Sequence, residues 1–480
     1  MIMLTLADVL EALCEVRPAW ARWPISETVI DSRQATPGSM FVALPGEKVD
    51  GHEYVRHAFE MGAIVAIVQQ PVPGQNTIDL REKRLAESLL EVKPPICILV
   101  KDSLLALQQV ARFWRRQLNL RVIGITGSVG KSTTKEIISS VMSQRFRTLK
   151  NQGNFNNEIG LPLSLLGLNQ KHECAVLEMG FYVPGEIALL CDIALPQVGV
   201  ITNIGTVHAE RAGSQEAIAK GKSELVQALP SAPEGVAILN YDDPWVRPMA
   251  SQTQAKVFFY GLDENADLWA DNVEGLGLDG IRFRLHFNNE TLHLRVPLIG
   301  RHSVHTALRA TAVGLASGLT WEEIVDGLRL PQTQLRLVAV RAKNGATILD
   351  DTYNASPEST LAALNLLDEL EGRKIAVLGD MLELGNESPL FHEEIGNFFK
   401  EHTAAKPYHT LLLTVGNYAR LYCGDFHFNS VEELIEWEQH EHILTNQHSF
   451  ILIKASRGLK LEKIKSSIEF QPDTYNSNRT

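Results

Sequence analysis

The sequence predicts an α/β protein made of three successive units, each with its own core. Three observations carry that expectation. Near the middle, VIGITGSVGKSTT (residues 122–134) reads as a β-branched strand, a glycine turn and the start of a helix. Toward the C-terminus, four apolar strands alternate with four helices, the pattern of a doubly wound parallel sheet. Ahead of the central motif, apolar runs and turn dipeptides make up a small module of their own. A chain of 480 residues also fits three domains at ~150 residues each. The boundaries are expected at 1–102, 103–330 and 331–480.

In the first unit, residues 4–13 predict a helix. Turns at Pro37-Gly38, Pro45-Gly46 and Asp50-Gly51 separate short strands. A helix over 54–61 and buried strands over 64–68 and 96–100 follow, with polar residues 71–95 as a surface excursion. Residues 102–118 predict a helix leading into the central unit. There, strands are expected at 122–125, 174–180, 198–205 and 235–240, and a helix at 215–229. Residues 256–298 are strand-rich, with Asn288-Asn289 as a hairpin turn. Helices at 302–318 and 321–330 close the unit. The third unit predicts strands at 347–351, 374–379, 410–415 and 450–454, and helices at 357–370, 390–402, 431–439 and 461–468. That is a Rossmann-like sheet whose ligands gather at the strand ends DDTYNASP, GDMLELG and KASRG.

The central motif carries the chemistry. A strand, a glycine turn and a helix N-terminus aim backbone N–H groups and the positive helix end at one point, which suits a nucleotide phosphate. Gly127-Ser128-Val129-Gly130-Lys131-Ser132 is a shortened G-x-x-G-K-S version of the usual phosphate loop, followed by Thr133, and Gly127, Ser128, Gly130, Lys131, Ser132 and Thr133 are the candidate nucleotide contacts. Lys131 adds charge for the β- and γ-phosphates, and the Ser132 hydroxyl suits Mg²⁺. Glu178 ends an apolar strand, where a carboxylate beside such a loop would also hold Mg²⁺. His208, just past the next strand, is either structural or part of this site. KNQGNFNNEIGLPL (150–163) is a loop whose amides suit a polar ligand, Asn154 and Asn157 among them. Lys220 and Lys222, near the start of a helix, read from the residues alone as a solvated face.

The net charge of −12 argues against non-specific nucleic-acid binding. Five scattered cysteines without a C-x-x-C suggest neither a disulfide framework nor a zinc site, as in a reducing cytosol. The amphipathic N-terminus lacks the basic flank of a signal peptide. No apolar run reaches the ~18 residues of a membrane span.

Taken together, the three units, the G-S-x-G-K-[ST] loop, NFNNEIGLPL, EMG, TNIGTVHAE, DDTYNASP and VLGDMLELG resemble the Mur ligase family over nearly the whole chain. The resemblance implies ATP-dependent amide formation through an acyl phosphate, in the cytoplasm, by a monomer of three domains. Within the family, GDMLELG and N-x-N-N-x-I-G-x-P-L are most similar to the member that adds D-alanyl-D-alanine to UDP-N-acetylmuramoyl-tripeptide in peptidoglycan synthesis. It implies a UDP-sugar site on the first domain at Asp31-Ser32-Arg33, ATP on the central domain, and D-Ala-D-Ala with part of the ATP on the third. It assigns catalysis to Lys131, His208 and Lys222, and two Mg²⁺ ions to Ser132, Glu178 and His208. Nucleotide contacts extend to Asn240, Arg336 and Asp351. Substrate contacts are Ser32, Arg33, Asn154, Asn157, Tyr353, Asn354 and Lys454. A carbamylated lysine is implied on the helix after His208, with Lys222 favoured over Lys220.

The chain departs from the family pattern in one place. GRHSVHTALRA carries Ser303 and Thr306 where the family usually has asparagines near the adenine. A hydroxyl donates and accepts, but without the paired geometry of an amide. Two alternatives stay open at this level. One is another ligase of the family or a folylpolyglutamate-type enzyme. The other is a phosphate-loop ATPase switch that ligates nothing.

Overall fold

The computed structural model describes residues 3–46, 49–82, 92–205, 213–330, 338–342, 345–403, 410–444 and 449–467. They build three sheets, as expected. The first has five parallel strands in the order Thr28–Val29, Met40–Val42, Val65–Val68, Ile96–Leu99, Asn76–Asp79. Its apolar face lies on the helix Leu6–Cys14, whose N-terminus is closed by a Thr5–Asp8 capping box.

The central sheet has nine strands. Its parallel part runs Leu268–Gly275, Lys256–Gly261, Val236–Asn240, Val198–Ile201, Arg121–Thr126, Cys174–Glu178, Thr148–Lys150. Ile281–Phe287 and Glu290–Val296 extend it as an antiparallel hairpin. The turn falls at Asn288, at φ 52°, a left-handed conformation that asparagine tolerates well. From Arg121–Thr126 the chain runs out to the edge strand, returns to Cys174–Glu178, then crosses to Val198–Ile201 on the far side. The C-terminal ends of these three strands therefore converge, which is where ligands bind in such sheets.

The third sheet runs Val338–Arg341, Thr347–Asp351, Ser449–Lys454, Arg373–Gly379, Leu411–Val415, Phe426–Phe428, parallel except for the first pair. Helices Pro357–Glu369, Ser388–Thr403, Val431–Glu441 and Glu462–Ser467 cover it. The last was expected to reach Ile468, which lies outside the described residues.

Five strands are absent from the sequence expectation: Thr28–Val29, Asn76–Asp79, Thr148–Lys150, Val338–Arg341 and Phe426–Phe428. All five are sheet edges. An edge strand pairs on one side only and needs no continuous apolar run, so short polar stretches such as NTID qualify.

The helix Ser103–Arg116 joins the first two units rather than only opening the second. Val110 and Trp114 share a core with Leu6, Val9 and Leu10 on one side and Leu161 and Leu165 on the other. Trp114 Nε1 donates to Leu168 O at 2.9 Å, and buried Arg115 donates to the carbonyls of Ala194 and Leu118. Cys14, Cys97, Cys174 and Cys191 are buried and free. Burial pushes the Cys97 and Cys174 thiols up to about 11 and about 12, which makes them inert core residues. No helix among the described residues is long and apolar enough to cross a membrane.

Candidate active site

The strand Arg121–Thr126 ends at Gly127, where φ is +145°. A Cβ there would meet Thr202 Oγ1 at 1.8 Å. The close approach is used: Thr202 Oγ1 donates to Val129 O at 2.8 Å, while Asn203 accepts from the N–H groups of Ser128 and Val129, both at 2.9 Å. Ser128 is buried, and its hydroxyl accepts from Gly205 N at 2.9 Å. It therefore braces the loop from within. Gly130, at φ +84°, opens the helix Lys131–Met142. The first bond back along this helix is Thr134 N to Gly130 O at 2.9 Å. The N–H groups of its first turn precede that bond, as an anion site at a helix N-terminus requires.

Gly127→Ala tests this packing. The strained φ and the collision together should cost roughly 1–3 kcal/mol and displace the loop, lowering nucleotide affinity. Gly74, at φ +80° with open space within 4 Å of where a Cβ would stand, serves as the strain-only control. Denaturation midpoints and ADP titrations check it: an alanine at 127 no worse than one at 74 would mean that Thr202 yields freely.

Two lysines meet under the loop. Lys131 Nζ donates to Gly127 O at 2.7 Å and Ser128 O at 3.1 Å. Lys222 Nζ donates to the same Gly127 carbonyl at 3.0 Å, with its nitrogen 4.7 Å from the centre of the Phe181 ring. Lys222 is fully buried. Desolvation first, then the neighbouring Lys131 charge, hold its amine well below the ordinary lysine range. Lys220, two residues earlier, is exposed. The helix Gln215–Gln227 turns one lysine inward and the other to solvent, a distinction that two charges in a row of residues do not reveal.

Ser132 Oγ donates to Glu178 Oε2 at 2.7 Å. Asn156 Nδ2 donates to the other carboxylate oxygen at 2.9 Å. Asn151 fixes the Glu178 backbone by accepting from its N–H and donating to its carbonyl, both at 3.0 Å. The asparagine loop is thus partly a clamp on Glu178, a use that the sequence reading missed. Asn157 Oδ1 is spent on Gly160 N at 2.9 Å. Asn154 lines the adjoining cleft. Asn240 donates to Thr202 O and accepts from Asp242 N, both at 3.2 Å, bracing the strand end beside the loop.

That cleft, about 530 Å³, opens between the central and third sheets. Ser132, Lys135, Asn154, Tyr353 and Arg457 are among the residues lining it. Behind it, Lys454 is buried and pairs with Asp351 at 2.6 Å, also donating to Asn354 O at 2.9 Å. Ser32 and Arg33 do not line this cleft. Ser32 is buried against His57 Nδ1 at 3.0 Å. Arg33 is exposed and pairs with Asp31, whose carboxyl it holds down at about 2. His208 and Arg336 lie outside the described residues.

At the Ser303 and Thr306 departure, Ser303 Oγ donates to Ile299 O at 2.7 Å, and Thr306 Oγ1 accepts from Arg309 at 2.8 Å. Arg309 is buried beside the phosphate loop. Nothing in ALRA marks it in the sequence, since an arginine in a helix ordinarily faces water.

Strand, loop and helix N-terminus with converging lysine, hydroxyl and carboxylate define a phosphate-loop nucleotide protein, here facing a second α/β domain across a cleft. The chain belongs to the Mur ligase family. Family profiles described as "Mur ligase family, catalytic domain", "Mur ligase middle domain" and "Mur ligase, glutamate ligase domain" match residues 24–115, 125–314 and 335–456. It is 35% identical over 476 residues to the UDP-N-acetylmuramoyl-tripeptide--D-alanyl-D-alanine ligase of Bacillus subtilis, covering 95% of each chain. Among solved structures it resembles MurF from Acinetobacter baumannii, with TM-score 0.82, 31% identity, and 97% of this chain and 99% of that one covered. It also resembles the Thermotoga maritima MurF ligase in complex with ADP, with TM-score 0.76, 27% identity, and 92% and 96% covered.

Proposed function

We propose that this chain is the ATP-dependent ligase that joins D-alanyl-D-alanine to UDP-N-acetylmuramoyl-tripeptide in the synthesis of peptidoglycan precursor. The observation that carries this is the end-to-end match to a ligase of that name, 95% of each chain at 35% identity. The phosphate loop at its centre supplies the chemistry such a reaction needs.

The γ-phosphoryl group of ATP moves to the terminal carboxylate of the tripeptide. The amine of D-Ala-D-Ala attacks the resulting acyl phosphate, and the tetrahedral adduct collapses to an amide with release of phosphate. Phosphoryl transfer calls for positioning and charge neutralisation more than covalent help. Lys131 and the first turn of its helix neutralise charge on the phosphates. Asn151 and Asn156 hold Glu178 in one place, so the carboxylate and the Ser132 hydroxyl present two hard oxygens beside the loop. These donors fit Mg²⁺, which takes one or two carboxylates and completes its shell with phosphate oxygens and water. When bound, Mg²⁺ offsets charge on the transferring group. His208 is proposed as a further ligand, and a carbamylated Lys222 as an anionic neighbour.

In the third domain, Tyr353, Asn354 and the Asp351–Lys454 pair are proposed to face the amine and the nucleotide, together with Arg336. Ser32 and Arg33 are proposed to hold the UDP-sugar. Asn154 is proposed to contact the peptide. The protein is proposed to act in the cytoplasm as a monomer, with domains at 1–102, 103–330 and 331–480.

ADP release measured with UDP-tripeptide, with and without D-Ala-D-Ala, tests the reading. Release that depends on the dipeptide and yields the pentapeptide product is expected. Equal ADP release in both arms would favour an ATPase switch instead.

A further inference from the structure

Arg309 sits on the helix Val304–Ala316, which packs against the phosphate-loop helix, and is 4% exposed. Its terminal nitrogens reach only hydroxyls, Tyr260 at 3.2 Å and Thr306 at 2.8 Å. Its Nε is buried with no partner. Among the described residues no carboxylate lies within ion-pair distance of it. The two acids of that corner are engaged elsewhere. Asp242 accepts from Leu262 N and Asp263 N, and Asp243 from Ile204 N, Trp245 N and Val246 N. A guanidinium is always charged, and a buried charge without an anion is costly.

Its position says which anion is missing. A Cβ added to Gly130 would find one atom within 4 Å, Arg309 Nη2 at 3.4 Å. The cation therefore borders the last glycine of the phosphate loop, at the mouth of the helix N-terminus. Lys131 reaches back over Gly127 and Ser128 at the loop's other end. We propose that Arg309 is a positioning cation for the nucleotide, and that its absent counter-ion is the polyphosphate of ATP and of the ADP product. Thr306 extends its reach. With its oxygen accepting from Arg309, the hydroxyl proton is left to donate to a phosphate or ribose oxygen. The proposal rests on reading the loop as the nucleotide site, not on which amine is ligated.

Calorimetric titration with ADP in chelator-treated buffer tests it, with adenosine as the phosphate-free probe. Arg309→Gln should weaken ADP on the order of 10-fold and leave adenosine unchanged. Arg309→Lys, which keeps the charge, should hold ADP close to the parent. ADP affinity unchanged in Arg309→Gln would overturn the proposal, as would equal losses for ADP and adenosine in both variants. Should Arg309→Gln not fold, the parent protein still decides. The Nε–H resonance of Arg309, assigned by its loss in Arg309→Lys, should move with ADP and stay still with adenosine. A resonance that ADP leaves in place overturns the assignment. A parent that binds ADP yet shows no dipeptide-dependent release would sink the ligase reading and leave this one standing.

Discussion

Lys131→Ala is expected to lower ligation by 10²-fold or more, on the order of 3 kcal/mol of transition-state stabilisation. The side chain lies across the loop, on the carbonyls of Gly127 and Ser128, from which it can swing to a bound phosphate. The fold should survive, because Lys131 is only partly buried and it donates to carbonyls of the loop itself. A modest loss of roughly 1 kcal/mol per hydrogen bond is the most expected from that source. A second effect follows from geometry. After burial, the Lys131 charge is what lowers the Lys222 amine pKa. Without it, Lys222 should take up a proton at higher pH than in the parent. Single-turnover rates at saturating ATP and Mg²⁺, with circular dichroism as the check on folding, decide the matter. Near-normal turnover would remove the phosphate-loop assignment.

The sheets were legible where burial on both faces writes a continuous apolar run. Ile123–Ile125, Val176–Leu177 and Ile451–Ile453 are all fully or almost fully buried, and each belongs to a strand expected from the sequence. The helix Ser103–Arg116 was legible as a helix but not as a bridge. Its apolar residues do not say that two different units claim them. Periodicity reports that a face is covered and not what covers it.

The site divides in the same way. Lys131, Ser132 and Glu178 could be put forward as candidates because each sits at a position fixed by one strand and one turn, and the structure brings Ser132 and Glu178 together. Asn151 and Asn156 hold Glu178, while Thr202 and Asn203 hold the loop backbone at Ser128 and Val129, and these roles depend on which strands lie side by side. The NFNNEIG stretch signalled a polar loop correctly, but its target is partly the protein's own Glu178. Arg309 comes from a helix far downstream of the loop, and only the packed structure brings it to Gly130.

Lys222→Ala is expected to lose activity by roughly 10²-fold, the scale seen when a group supporting a metal site is removed. The neutral amine attacks the carbon of CO₂, forming an N–C bond as one C–O π bond opens and releasing one proton, so that a neutral group becomes an anion with two acceptor oxygens. Only the unprotonated amine can do this, and burial together with Lys131 favours that form. The sign of the pH effect follows. Raising the pH increases the neutral fraction, so depleting CO₂ should inhibit more at low pH than at high pH. Stability moves in the same direction. The unfolded chain binds a proton at this lysine more tightly than the native state does, so in CO₂-free buffer the parent gains stability as pH rises toward the unfolded lysine's range. Lys222→Met, which keeps the volume without the charge, should lack that part of the slope. Small carboxylates added to Lys222→Ala should restore some activity, and Lys220→Ala, which alters only an exposed side chain, should behave like the parent. Electron density on Lys222 should show a planar three-atom extension beyond the amine nitrogen. If Lys220→Ala is the inactive variant, the modified lysine is the wrong one of the two; if both variants stay active, no carbamate supports this site.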